Sequence, residues 1–216
     1  MIHACTSLLL ILAGRVAAQS TPEDMEKMKQ RMLASGAGHE FAAKQFIKLP
    51  KGTLYLRLEN FPTREAAYQA ETPVSASLEW AGKIWLFTLA PKGERSRGGT
   101  LVAEIGPVPA IPSAARYVME INEANLGPET NSETGRLAHT HPGPEIFYLL
   151  TGEQCLETPN GAQRARAGEG MVAPANTPMV LNIMGSSKRD GFFVVIHDSN
   201  KPGASPSDWQ PKGACK

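Results

Sequence analysis

The sequence predicts an all-β protein, and three observations predict it. The 216 residues include 20 Gly and 17 Pro, a share that supplies many tight turns between short strands. From residue 53 onward, apolar side chains recur at every second position. The segment 145–151 is apolar on both faces, as a strand buried between two layers must be. With 42% hydrophobic and 20% charged residues, the chain has enough apolar surface for one full core. Lys+Arg is 22 against 21 Asp+Glu, so there is no basic excess of the kind that marks a nucleic-acid partner.

The N-terminal residues read as a targeting signal. Leu8 to Ala13 is an apolar run too short to span a bilayer. Val16-Ala17-Ala18 then offers small residues to a signal peptidase. Residues 1–18 are therefore expected to be a signal peptide, and the mature chain secreted or periplasmic with no membrane attachment. The alternative is a buried N-terminal helix or a retained anchor, because Arg15 follows the apolar run and no Lys or Arg precedes it.

Residues 19–52 read as a helix and a linker. Thr21 can cap the helix, Pro22 fits its first turn, and Glu23 and Asp24 suit its positive end. Met25, Met28 and Met32 form one stripe at helical spacing, read as a docking face. Residues 53–114 read as additional strands. Leu54, Leu56 and Leu58 alternate with Tyr55, Arg57 and Glu59, as on a half-buried strand. Segments 76–80 and 83–89 flank Ala81-Gly82 as a hairpin, and 101–105 is a further strand. Residues 115–198 read as a barrel, with strands at 117–121, 137–141, 145–151, 153–158, 170–173, 179–184 and 191–197. The tail 199–216, rich in Pro, Ser and Gly, reads as irregular.

In strand 145–151, Glu145, Phe147 and Leu149 face one way, and Ile146, Tyr148 and Leu150 the other. The outer face needs a cover. The strands before residue 110 could provide it, or a second subunit could, which makes a homodimer the expected assembly.

The chemistry concentrates in His139-Thr140-His141. Strand residues two apart point to one face, so the two imidazoles converge. Pro142-Gly143-Pro144 turns the chain, and Glu145 follows. Two imidazoles and one carboxylate make a workable ligand set for a divalent first-row metal. Cys155 and Cys215 are candidates for a disulfide that ties the tail to the domain, with two separate thiols as the alternative. His197 beside Asp198 reads as a paired histidine at a strand end. Arg164, Arg166 and Lys188-Arg189 read as solvated turns.

His139-x-His141-x3-Glu145-x6-Gly152 resembles the first signature motif of the cupin superfamily, and Gly168-x5-Pro174-x4-Met179 resembles part of the second. The resemblance covers residues 115–198. It implies a small antiparallel jelly-roll β-barrel with a metal held inside, here carrying a short N-terminal helix and extra N-terminal strands. It leaves open whether those extra strands are a reduced second barrel. Such barrels include dioxygenases, isomerases, decarboxylases and binding proteins, so the fold does not select a function.

Four positions depart from the family pattern. Glu133 stands where it has a glycine before the first histidine, and Asn176 where it has a later one. Ile183 stands in place of an asparagine, beside Asn182. Met179 occupies the place of a third histidine. The resemblance implies His139, His141 and Glu145 as metal ligands, with Met179 as a soft fourth if the ion is copper. Iron or manganese is the expected metal, with copper or zinc as alternatives. Phe147 is expected to line the pocket, and Gln154 to orient a bound group. A small-molecule ligand is the expected partner. Two functions remain open: an oxygenase or isomerase of a small organic molecule, or a non-catalytic binding module.

Overall fold

The computed structural model describes residues 40–133 and 137–215, together with Glu23, Lys27 and Gln30. Those three positions are helical, but the rest of the expected N-terminal helix, its methionine stripe, the signal segment and His39 lie outside the described residues.

The described residues fold as three stacked layers of antiparallel sheet. In chain order the strands are β1 (Glu40–Phe46), β2 (Leu54–Phe61), β3 (Ser75–Trp80), β4 (Lys83–Pro91), β5 (Thr100–Ile105), β6 (Tyr117–Leu126), β7 (His139–Thr140), β8 (Glu145–Thr151), β9 (Glu153–Thr158), β10 (Gly161–Arg166), β11 (Gly170–Ala173), β12 (Val180–Ile183), β13 (Arg189–Asp198) and β14 (Ser205–Pro206). Helix α1 (Arg64–Ala70) follows β2, and the short α2 (Thr130–Glu133) follows β6.

The middle layer has the order β1-β6-β13-β8-β11. The inner layer runs β10-β9-β12, and a backbone bridge between His139 and Met179 joins β7 and its partner β14 to it. Together these two layers close a jelly-roll barrel, the cupin-like architecture that the two motifs imply. The outer layer is a separate sheet, β3-β4-β2-β5, laid flat on the barrel.

That outer sheet answers the question posed by β8. Ile146 and Tyr148 pack outward in one core with Leu56, Leu58, Trp85 and Phe87 of the outer sheet. Phe147 and Leu149 pack inward with Leu156, Ala165, Met171 and Met179. Each large side chain so buried contributes about 1.5–3 kcal/mol. Phe192 of β13 centres the outer core, with the rings of Trp80, Trp85 and Phe87 edge-on to it at 5.0 to 5.1 Å.

Several local readings meet their cause. The Ala81-Gly82 turn has positive φ at both residues (51° and 70°), the geometry of a two-residue hairpin. Asn176 adopts φ 56°, so asparagine takes the left-handed backbone in place of glycine. Strand β2 departs from the half-buried pattern. Arg57 and Glu59 are buried on its second face, because they pair with each other at 2.9 Å and are covered by Ser96. Strand β10 and helix α1 escape apolar periodicity. β10 is an exposed edge with only Ala165 buried, and α1 is marked instead by its Thr63 cap and Glu65 in its first turn.

The tail runs over the barrel as a strap. It adds β14 to β7, and the Ser207 N–H donates to the Ala138 carbonyl at 2.9 Å. A disulfide then joins Cys215 to Cys155 on β9, with Cα atoms 5.6 Å apart. Between them, Glu157 accepts hydrogen bonds from the backbone N–H groups of Lys212, Gly213 and Ala214.

Candidate metal centre

The centre sits at the junction of β7 and β8. The Pro142-Gly143-Pro144 turn packs directly against β13: a Cβ on Gly143 would lie 1.7 Å from the Ile196 carbonyl oxygen, so only glycine fits. His139 and His141 project to one side, their rings 5.0 Å apart and edge-on. Glu145 begins the next strand and turns inward. One ligand atom from each of His139, His141 and Glu145 lies within 4.8 Å of the others. His141 Nε2 and Glu145 Oε2 are 3.4 Å apart.

Both imidazoles are oriented from behind by backbone. His139 Nδ1 meets the Leu137 carbonyl at 3.0 Å, and His141 Nδ1 meets the Gly203 carbonyl of the strap at 2.6 Å. A carbonyl only accepts, so each Nδ1 carries the proton and each Nε2 keeps its lone pair for the centre. Burial pushes both histidines toward the neutral form, His141 down to about 4. Burial also pushes the Glu145 carboxyl up, to about 7, with His139 and Arg189 pulling it partly back.

His141 is 6% exposed and Glu145 4%, yet His141 Nε2 and Glu145 Oε2 lack a hydrogen-bond partner. Buried polar atoms of this kind are rarely left so, and two of them converging beside the His139 imidazole is an arrangement a cation satisfies.

The other expected residues take different places. Met179 is the direct cross-strand partner of His139 through the backbone bridge, so its side chain shares the interior face, where it packs with Phe147 and Leu149. Phe147 lines the interior beneath Glu145. Gln154 is fully buried, and it donates to the Met171 sulfur at 3.4 Å rather than to a histidine. The groups that orient the imidazoles are thus two backbone carbonyls, which no side-chain pattern announces. His197 pairs with Glu120 at 3.3 Å and with the Asp198 carbonyl at 2.8 Å. Arg164 and Arg166 lie on the exposed face of β10 beside Glu153. Arg189 overturns its solvated reading. It is 0% exposed, because β13 begins at this residue and carries the side chain into the barrel.

No protein-family model matches the chain, and no curated protein does. Among solved structures, the chain is similar to a conserved protein with a double-stranded β-helix domain from Klebsiella pneumoniae. The identity is 19% over 43% of this chain and 76% of that one, with a TM-score of 0.32. A cupin-like protein from Thermotoga maritima is 11% identical over 43% of this chain and 64% of that one, with a TM-score of 0.30. Salicylate 1,2-dioxygenase from Pseudoaminobacter salicylatoxidans is 16% identical over 37% of this chain and 20% of that one, with a TM-score of 0.28. The chain's own strand order, rather than any of these likenesses, makes it a jelly-roll barrel.

Proposed function

We propose that this protein binds a divalent first-row metal through His139, His141 and Glu145 and acts on a small organic molecule held beside it. The observation that carries the reading is the convergence of three ligand atoms, two of them buried and unpartnered, with both imidazoles held by carbonyls in the ligating tautomer. Three protein ligands leave coordination positions open for water and substrate.

Each residue has a role within this reading. His139 and His141 give neutral nitrogen, and burial keeps them unprotonated and ready at neutral pH. Glu145 gives the negative charge, and a cation beside it would hold it ionised against its own burial. Phe147 and Leu149 exclude water from the floor of the site. A metal bound there would polarise a substrate carbonyl or hydroxyl, or lower the pKa of bound water. Iron or manganese suits this donor set, and an oxygenase or isomerase reaction follows from open positions in a dry interior. The Cys155–Cys215 disulfide supports export to an oxidising compartment.

The test is elemental mass spectrometry on mature protein purified without chelator or nickel affinity resin. Near-stoichiometric iron or manganese in wild type, lost in His141→Ala, is the expected result. Metal without turnover in a substrate screen under oxygen would select the binding-module reading. Absence of metal after reconstitution would overturn the metal reading altogether.

A further inference from the structure

Arg189 is the one basic side chain among the described residues with no exposed surface at all. Along β13, Phe192, Val194 and Ile196 pack toward the outer sheet, so Arg189, Gly191 and Phe193 face the barrel interior. Gly191 and Ala124 are cross-strand partners at the next inward level, and neither carries bulk over which the arginine stem must climb. Nη1 donates to the Ala124 carbonyl at 2.8 Å. Nε and Nη2 are buried and have no partner.

Those two N–H groups lie side by side on one edge of the guanidinium, the edge that takes a carboxylate through two parallel hydrogen bonds. A buried donor without an acceptor is costly, and more so on a charged group. Glu145 is within electrostatic reach, since the charge of each residue favours that of the other. No hydrogen bond links the two. Across the barrel, Gln154 also keeps a buried Oε1 without a partner, and its strand neighbour Ile183 packs on Ala124.

We infer that Arg189 is an anion anchor inside the barrel, binding the carboxylate of a small organic acid whose other end lies at the His139–His141–Glu145 centre. The inference rests on the metal-centre reading for that second end, and names the substrate class for it. A carboxylate fits better than a phosphate, because one guanidinium in an interior lined by Phe147, Leu149, Leu156 and Phe193 balances one negative charge.

The test is calorimetric titration of full-length protein, metal-free and metal-loaded, with acetate, benzoate, their neutral amides acetamide and benzamide, and inorganic phosphate. The expected result is that wild type binds the acids at least tenfold more tightly than the amides. Arg189→Met should lose at least tenfold for the acids while its metal content by elemental mass spectrometry stays that of wild type. Equal binding of acids and amides, unchanged acid binding in Arg189→Met, or no acid binding by wild type would overturn the anchor. Tighter binding of phosphate than of either acid would overturn the choice of carboxylate. If Arg189→Met does not fold, the acid–amide comparison in wild type decides alone. The two readings fail separately: a chain that selects acids but never holds metal sinks only the metal centre, and one that holds metal but does not select acids sinks only the anchor.

Discussion

Glu145 and Glu157 are buried carboxylates on consecutive strands of one barrel, and the chain treats them in opposite ways. Glu157, 2% exposed, faces outward from β9 and accepts three backbone N–H groups from the strap. Its charge is spent on structure. Glu145, 4% exposed, faces inward with one oxygen unpartnered and its carboxyl pushed up to about 7. The difference is one of direction: strand parity points one carboxylate at amide donors and the other at two lone pairs. A buried carboxylate with a complete set of donors holds a fold together, whereas one set against two imidazole lone pairs calls for a cation.

The comparison can be broken most directly by mutation of the two residues side by side. Glu157→Ala leaves three strap N–H groups without their acceptor and should destabilise the chain by about 1–3 kcal/mol, read by denaturant unfolding. Glu145→Gln should not destabilise the metal-free chain, while lowering metal affinity at least a hundredfold, because the glutamine has no charge to offer the ion. Equal costs for the two would end the distinction. Cys215→Ser should cost about 2–4 kcal/mol, since it releases a strap whose disulfide spans 60 residues of sequence. An oxidised protein no more stable than this variant would mean that Glu157 alone holds the tail.

Titration sharpens the contrast. In metal-free protein, Glu145 is raised from 4.5 to about 7, so between these values the folded chain holds a proton that the unfolded chain releases. Its contribution therefore falls as pH rises through that window. His141 moves from 6.5 down to about 4, so the unfolded chain binds the extra proton and stability rises with pH over that range. Metal-free Glu145→Gln should accordingly gain on wild type as pH rises from about 4.5 to 7 in parallel thermal melts. A constant gap between the two would show that Glu145 titrates alike in both states. The smallest effect belongs to Asn176→Gly. Its φ of 56° already suits glycine, so the change should stay within about 0.5 kcal/mol.

Much of the barrel was legible because periodicity and spacing report directly on faces. The two histidines on one side of segment 139–141, the double-sided burial of β8 and the Ala81-Gly82 turn all follow from side-chain parity or turn chemistry. Arg189 was misread because a lysine–arginine pair after two serines resembles a solvated turn, and nothing local says that the next strand starts at its second residue. The orienting groups of the histidines were invisible for a deeper reason. A backbone carbonyl is the same for every residue type, so Leu137 and Gly203 leave no signature. The strap was likewise hidden, because its bonds run through main-chain donors and acceptors in a segment without any period.

The strap also sets an order of events. His139 and His141 leave the ribosome well before Gly203, whose carbonyl fixes the His141 tautomer, and before Cys215, which clamps that segment in place. A half-made barrel can close its sheets, but it cannot aim its second imidazole. Competence for metal is thus a property of the finished polypeptide. If the chain is exported, the ion it keeps is one it meets after translocation rather than during synthesis.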